Sequence, residues 1–296
     1  MKEFRYSFSA MASPCELRLY AERASVANKA AELAQAEVLR IEQTYSRYRD
    51  DSIVSRINAA AGLGPIAVDP ETAALLNYAA TAYQQSDGLF DITSGVLRRV
   101  WDFKSGQLPS DSAIADILPL VGWDKVHWDG QQILLTQPGM QLDFGGFGKE
   151  WAADSAARIC REAGIEYGLV ELGGDIHAMG PHPDGSPWQI GIRHPRDPEN
   201  AIAVLPLKSG GLASSGDYER FMVVDGQRYS HILNPKTGWP ITESFSAVSV
   251  VAPLCLLAGT GATVAMLKGQ VEARNWLNSL ELPFLLVAPD GQVIQS

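Results

Sequence analysis

The chain has 296 residues, 46% of them hydrophobic and 20% charged, a balance that suits a globular protein able to bury a full core. A net charge of −10 argues against nucleic acid or an anionic membrane surface as a partner. A phosphorylated ligand would have to be met locally, through backbone N–H groups, a few Lys or Arg, or a divalent cation.

Taken in chain order, residues 15–20 alternate as a strand does. Ala24 to Tyr48 is rich in Ala, Glu, Leu and Gln, with apolar Val38, Ile41 and Tyr45 at helical spacing, and predicts a long helix. Asp51-Ser52 caps a short helix through Asn58. Asp69-Pro70-Glu71 places an N-cap, a proline at the first position and an acid in the first turn of a helix running to about Gln85. A further helix is expected from Thr93 to about Trp101. Lys125–Trp128, Asp129-Gly130 and Gln132–Thr136 read as strand, turn and strand.

Lys149 to Ala163 is helical in pattern and Tyr167–Leu172 is a buried strand. Strands are expected at Trp188–Ile192, Ala203–Leu207 and Arg220–Val224, the last turning at Asp225-Gly226 into Gln227–Ser230. Phe245–Ala252 reads as a strand, Leu256–Lys268 and Val271–Leu280 as two helices, and Phe284–Val287 with Gln292–Ile294 as a closing hairpin. Helices and hairpins intermix without regular βαβ alternation, and no linker divides the chain. The expectation is an α+β fold in a single domain, residues 1–296.

Cys15, Cys160 and Cys255 are odd in number, far apart and set among apolar residues, so buried free thiols are expected. The N-terminal run Met1-Lys2-Glu3-Phe4-Arg5-Tyr6-Ser7 lacks the apolar core of a signal peptide. No window reaches the roughly 18 apolar residues of a membrane span. A cytoplasmic protein with no membrane insertion is the expectation.

Three glycine-rich clusters carry the chemistry. Gly210-Gly211-Leu212-Ala213-Ser214-Ser215-Gly216-Asp217-Tyr218 and Ser230-His231-Ile232-Leu233-Asn234-Pro235-Lys236-Thr237-Gly238 gather hydroxyls, an acid and a histidine around one hairpin. A loop-rich hairpin with capping residues is the structural alternative. Leu142-Asp143-Phe144-Gly145-Gly146-Phe147-Gly148-Lys149 sets three glycines before a helix whose N-terminus suits an anion, with Lys149 as a point charge. Its spacing is neither a P-loop nor a dinucleotide fingerprint. Glu171-Leu172-Gly173-Gly174-Asp175 repeats the logic after a strand.

In Asp87-Gly88-Leu89-Phe90-Asp91-Ile92-Thr93, Asp91 or Thr93 could simply cap a helix. Tyr45-Ser46-Arg47-Tyr48-Arg49 is a solvated helix end or a site for a phosphate or an aromatic ring. His127, His177, His182 and His194 read as surface or satisfied core histidines without metal-ligand spacing.

In this order, with Met11-Ala12-Ser13-Pro14 and Ser46-Arg47-Tyr48, the clusters resemble the ApbE family of FAD:protein FMN transferases over about residues 9–290. The resemblance implies a fold related to the tunnelling fold, with antiparallel sheets, packed helices and a cleft for FAD. The implied reaction splits FAD at its diphosphate, moves FMN onto a Thr or Ser hydroxyl of an acceptor protein and releases AMP, with Mg²⁺ on the diphosphate oxygens. Carried over by position, Met11, Tyr48, Leu89, Phe90, Asp91, Asp143, Lys149 and Ile232 should line the FAD site, with Ser214 and Ser215 against a phosphate. His231 should assist deprotonation of the acceptor hydroxyl, with Asp217 and Asp175 as rivals.

The metal would fall to the Gly146 carbonyl and Thr263. In Ala258-Gly259-Thr260-Gly261-Ala262-Thr263, however, Gly259 stands where the family has its metal-binding aspartate. Losing that carboxylate should weaken Mg²⁺ binding unless another acid compensates, and Gly259→Asp is expected to restore affinity. The resemblance therefore leaves three activities: the transferase, an FAD-binding protein without efficient catalysis, and an FAD hydrolase yielding FMN and AMP. Thr260-Gly261-Ala262-Thr263 resembles part of an acceptor motif, but its expected place inside a helix makes self-modification unfavourable.

Overall fold

The computed structural model describes residues 1–296. Strands β1 (Lys2–Ala10) and β2 (Ser13–Ala21) form a hairpin. Helices α1 (Ala24–Tyr45) and α2 (Ile53–Ala59), strand β3 (Ile66–Ala67), helix α3 (Pro70–Gln85) and a 3-10 segment over Ile92–Arg99 follow. Next come α4 (Asp111–Ile117), β4 (Val126–Trp128), β5 (Gln132–Leu135), α5 (Gly148–Glu162), β6 (Gly168–Leu172) and β7 (Asp175–Gly180). The remainder is β8 (Trp188–His194), β9 (Asp197–Leu207), β10 (Gly210–Gly216), β11 (Phe221–Val224), β12 (Gln227–Ser230), β13 (Ala247–Ala252), α6 (Cys255–Ser279), β14 (Phe284–Val287) and β15 (Val293–Gln295).

The main sheet has eight strands in the order β1-β2-β6-β7-β10-β13-β14-β15, and every neighbouring pair is antiparallel. Strand alternation divides its side chains between two cores. Val170, Leu172, Met179, Ala213, Val248 and Val250 face α1, α5 and α6. Leu169, Ile176, Ala178, Leu212 and Ala247 face the β8–β9 hairpin around Trp188. Small residues set the helix layer: Ala27, Ala30, Ala31 and Ala34 of α1, and Ala152, Ala153, Ala156 and Ala157 of α5, are buried where the two helices pack.

Helix α6 begins at a fixed point. The residue before it, Leu254, offers no side-chain cap. Asp154 of α5 supplies one instead, accepting from the Cys255 N–H at 2.8 Å and the Leu256 N–H at 3.0 Å. The same carboxylate accepts from His177 Nδ1 at 2.6 Å. A Cβ at Gly211 would overlap the Cys255 backbone, so the glycine lets β10 approach this helix start.

Several sequence expectations shift. The two C-terminal helices hold as expected within α6, separated at Gly269, whose φ of 71° and ψ of 178° interrupt the helical backbone. The helix expected after Thr93 is 3-10 and ends at Arg99. The glycine-rich run 210–216 is a strand buried mid-sheet rather than a loop-rich hairpin; the hairpin itself follows, with Asp225-Gly226 as its turn. All three cysteines are buried and unpaired. No helix is long and apolar enough to cross a membrane.

Candidate active site

Two hairpin tips meet the start of α5. Met11 and Ala12 turn β1 into β2 with φ of 51° and 56°, and Glu42 of α1 holds the tip by accepting from the Met11 N–H at 2.8 Å. Beside it, Gly173 turns β6 into β7 with φ of 61°, and its N–H donates to the Pro14 carbonyl at 2.9 Å. A Cβ at Gly173 would come within 2.7 Å of Ser13 and 3.8 Å of Lys149 Nζ, so glycine is required for both the turn and the close packing.

Lys149 lies in the first turn of α5, and its Nζ is 2.7 Å from Asp175 Oδ2. Desolvation opposes the ammonium, yet the carboxylates of Asp175 and Glu150 hold its pKa above the ordinary lysine value. Burial pushes the Asp175 carboxyl up against the pull of that lysine. The site thus holds a permanent positive charge at a helix N-terminus.

The preceding loop is anchored by its aromatics. Phe144 and Phe147 are fully buried, and Phe144 stacks on Tyr45. Asp143 is fixed between them and two guanidinium groups: Oδ1 accepts from the Gly145 N–H at 2.8 Å, and Oδ2 lies 3.0 Å from Arg47 Nη1 and 3.6 Å from Arg98 Nε. A Cβ at Gly95 would collide with Asp143, which explains the glycine in the 3-10 segment. Tyr48, just past α1, is 76% exposed, with Arg47 Cζ 5.3 Å from its ring centroid, so its face is open for stacking.

His231 follows β12, half-buried. Its Nδ1 lies 3.1 Å from the Arg220 carbonyl, which can only accept, so the Nδ1–H donates and Nε2 carries the lone pair. Burial, then the nearby charge of Arg98, pushes the imidazole pKa down to about 4, with Lys149 acting in the same direction. His231 is therefore neutral at neutral pH.

The region around α6 contains the main surprise. Glu150, next to Lys149, is only 8% exposed, and its Oε2 has no hydrogen-bond partner. Burial, together with the charge of Asp175, pushes its carboxyl well above the usual carboxylate range. Its side chain fills the space beside Gly259: a Cβ there would lie 2.9 Å from Glu150 Cδ, 2.7 Å from Cγ and closer still to Oε1. One helical turn on, Thr263 Oγ1 is 2.9 Å from Ser215 Oγ. No three His, Cys, Asp or Glu side chains converge as a metal cluster, so any cation here would rely on one carboxylate with hydroxyl, carbonyl and ligand oxygens.

The sequence and fold have known counterparts. The ApbE family model matches residues 11–286. The chain belongs to the ApbE family. The FAD:protein FMN transferase of Escherichia coli K12 is 31% identical over 277 residues, covering 90% of this chain and 79% of the relative. That of Treponema pallidum is 29% identical, covering 99% and 86%. Among solved structures, the ApbE protein of Thermotoga maritima superposes with a TM-score of 0.91 at 29% identity, covering 100% of this chain and 97% of the other. The flavin transferase ApbE of Vibrio cholerae superposes with a TM-score of 0.87 at 26% identity, covering 100% and 97%.

The structure brings together Met11, Lys149 and Asp175, places His231 near Lys149, and pairs Ser215 with Thr263. Other residues assigned from the ApbE resemblance have different roles. Ser214 and Ser215 are neighbours on a strand and point to opposite faces. Ser214 bonds Ser249 Oγ at 2.7 Å on the face shared with Leu212, so the two cannot act on one phosphate.

Asp217, a rival base in the sequence reading, is engaged by Arg196 through contacts of 2.6 and 2.7 Å. Asp175 is likewise committed to Lys149. Asp91 is buried: its Oδ1 accepts from Thr93 N–H and Oγ1 and its Oδ2 from the Trp123 N–H, making it a helix cap and loop clamp. Phe90 is buried beside Phe147, while Leu89 and Ile232 are half-buried.

The Asn234–Gly238 end of the Ser230–Gly238 run is a turn docked on aromatics. Gly238 N–H donates to the Asn234 carbonyl at 2.8 Å, and Trp101 Nε1 donates to the Gly238 carbonyl at 2.8 Å. Sequence reasoning missed Arg98 and Glu150. Both lay unremarked inside stretches predicted only as helix.

Proposed function

We propose that this ApbE-family protein is an FAD:protein FMN transferase that moves FMN from FAD onto a Thr or Ser hydroxyl of an acceptor protein and releases AMP. Similarity to the Escherichia coli K12 enzyme of that name over 90% of this chain and 79% of the relative supports the reaction class. The observation that carries the chemistry is a charged, half-buried Lys149 near a neutral His231 whose Nε2 lone pair is free.

In this reading the acceptor oxygen attacks the flavin-side phosphorus while the bridging P–O bond breaks and AMP departs with that oxygen. The hydroxyl proton passes to His231 Nε2. Lys149 and Arg98 oppose the negative charge of the diphosphate, and the α5 N-terminus adds its dipole. Tyr48 offers an aromatic face to the flavin or adenine ring. Met11 and Ile232 border the cleft.

Magnesium fits the donor set, because Thr263 Oγ1, the Gly146 carbonyl and a buried carboxylate oxygen without a partner are hard oxygen ligands. Bound there, the ion would neutralise diphosphate charge. A filled position beside Gly259 favours the transferase over a protein that binds FAD without catalysis. The continuous eight-stranded sheet, built from residues 2 to 295, supports reading the chain as one flavin-transferase unit.

The test is AMP release from FAD and Mg²⁺, followed with and without an acceptor peptide. AMP formation that depends on the acceptor hydroxyl supports transfer, whereas equal AMP without any acceptor would identify a hydrolase.

A further inference from the structure

We propose that Glu150, reaching across from α5, supplies the carboxylate of the divalent-cation site, and that Gly259 is glycine in order to admit it. The inference rests on the transferase reading for the cation's purpose but is argued from this chain's own geometry. Three buried carboxylates lie near the starts of α5 and α6, and two of them have charged or amide partners. Asp154 holds His177 and two amides of α6, and Asp175 holds Lys149. Only Glu150 retains an oxygen with no partner.

A carboxylate taken out of water requires a proton or a cation. Lys149 is the adjacent residue, but its ammonium is placed on Asp175. The Glu150 side chain enters the space that any side chain at 259 would occupy, bringing its carboxyl group against α6. Thr263, four residues further along α6, lies on the same helix face and presents a hydroxyl already paired with Ser215. Carboxylate and hydroxyl therefore arise from two elements that pack together. A small divalent cation that takes oxygen ligands and keeps waters or phosphate oxygens suits such a sparse donor set.

The experiment measures Mn²⁺ binding to the full chain by electron paramagnetic resonance, with and without FAD, and Mg²⁺ by competition. Wild type is expected to bind Mn²⁺. Glu150→Gln should lose at least about tenfold in affinity, since even residues that only support a ligand cost that much. FAD binding without metal, read by flavin fluorescence, should be kept. The double variant Glu150→Ala/Gly259→Asp moves the carboxylate to the facing helix and should recover metal binding.

Unchanged Mn²⁺ affinity in Glu150→Gln would overturn the assignment while leaving the transferase reading intact. So would a wild type that binds no Mn²⁺ in either condition yet still transfers FMN. Glu150-dependent Mn²⁺ binding without FMN transfer would support the assignment and overturn the transferase reading instead.

Discussion

Gly259→Asp, made alone, should destabilise the metal-free protein even though it adds a carboxylate one helical turn from Thr263. The Glu150 side chain leaves no free room for it: the new Cβ would sit under 3 Å from three atoms of that buried glutamate. Overpacking of that kind costs about 1–3 kcal/mol. Two carboxyls forced together raise the cost, since both cannot ionise at such separation. Replacing a helical glycine returns up to about 1 kcal/mol. The net expectation is a loss of roughly 2 kcal/mol, relieved when Glu150→Ala is added, with a coupling of about 0.5–3 kcal/mol between the sites.

Urea unfolding of wild type, both single variants and the double variant, all in chelator, measures the cycle. Additive changes, or a Gly259→Asp protein as stable as wild type, would refute the claim that Glu150 fills the space beside 259. The expectation drawn from the sequence, that this substitution alone strengthens Mg²⁺ binding, is replaced by one in which both positions must change together.

Other consequences can be checked independently. His231→Gln should lower kcat about 10²–10⁴-fold while FAD binding is kept, read by steady-state kinetics and flavin fluorescence. Its folded pKa of about 4 lies below the ordinary 6.5, so the unfolded chain binds the extra proton between those values. Stability from this group is present above about pH 6.5 and lost as pH falls through 4, and His231→Gln should flatten that part of the urea-midpoint profile. Asp154→Ala removes the partner of His177 and the cap of α6, and should cost about 3–5 kcal/mol by urea unfolding. Ser215→Ala should impair transfer through Thr263 more than Ser214→Ala, because the two hydroxyls lie on opposite faces; equal kcat/KM losses would contradict that division.

Much of the framework could be read from local signals. The Asp69-Pro70-Glu71 cap opens α3 where expected, with Asp69 Oδ1 accepting from Glu71 and Thr72 N–H groups. Asp225-Gly226 turns its hairpin, and the glycine loop before Lys149 does lead into α5. Strands β7 and β10 were hidden because both faces are buried, so neither shows polar–apolar alternation, and β10 is rich in glycine and serine. With no strand assigned to 210–216, nothing showed that Ser214 and Ser215 diverge.

The site was legible as a set of residue types but not as pairings. Asp217 reads as a rival base until Arg196 is seen to engage it, and Asp91, read as a cap or an FAD-lining residue, proves to be a cap that also holds the Trp123 N–H. Glu150 and Gly259 are more than a hundred positions apart, and nothing in either local stretch shows that one fills the space left by the other.

The most direct test of the transferase account is intact-mass measurement of an acceptor protein after incubation with this enzyme, FAD and Mg²⁺. A mass gain of one FMN, localised to a Thr or Ser and matched by one AMP, is the predicted result. FAD recovered intact, or FMN and AMP formed beside an unmodified acceptor, would contradict it.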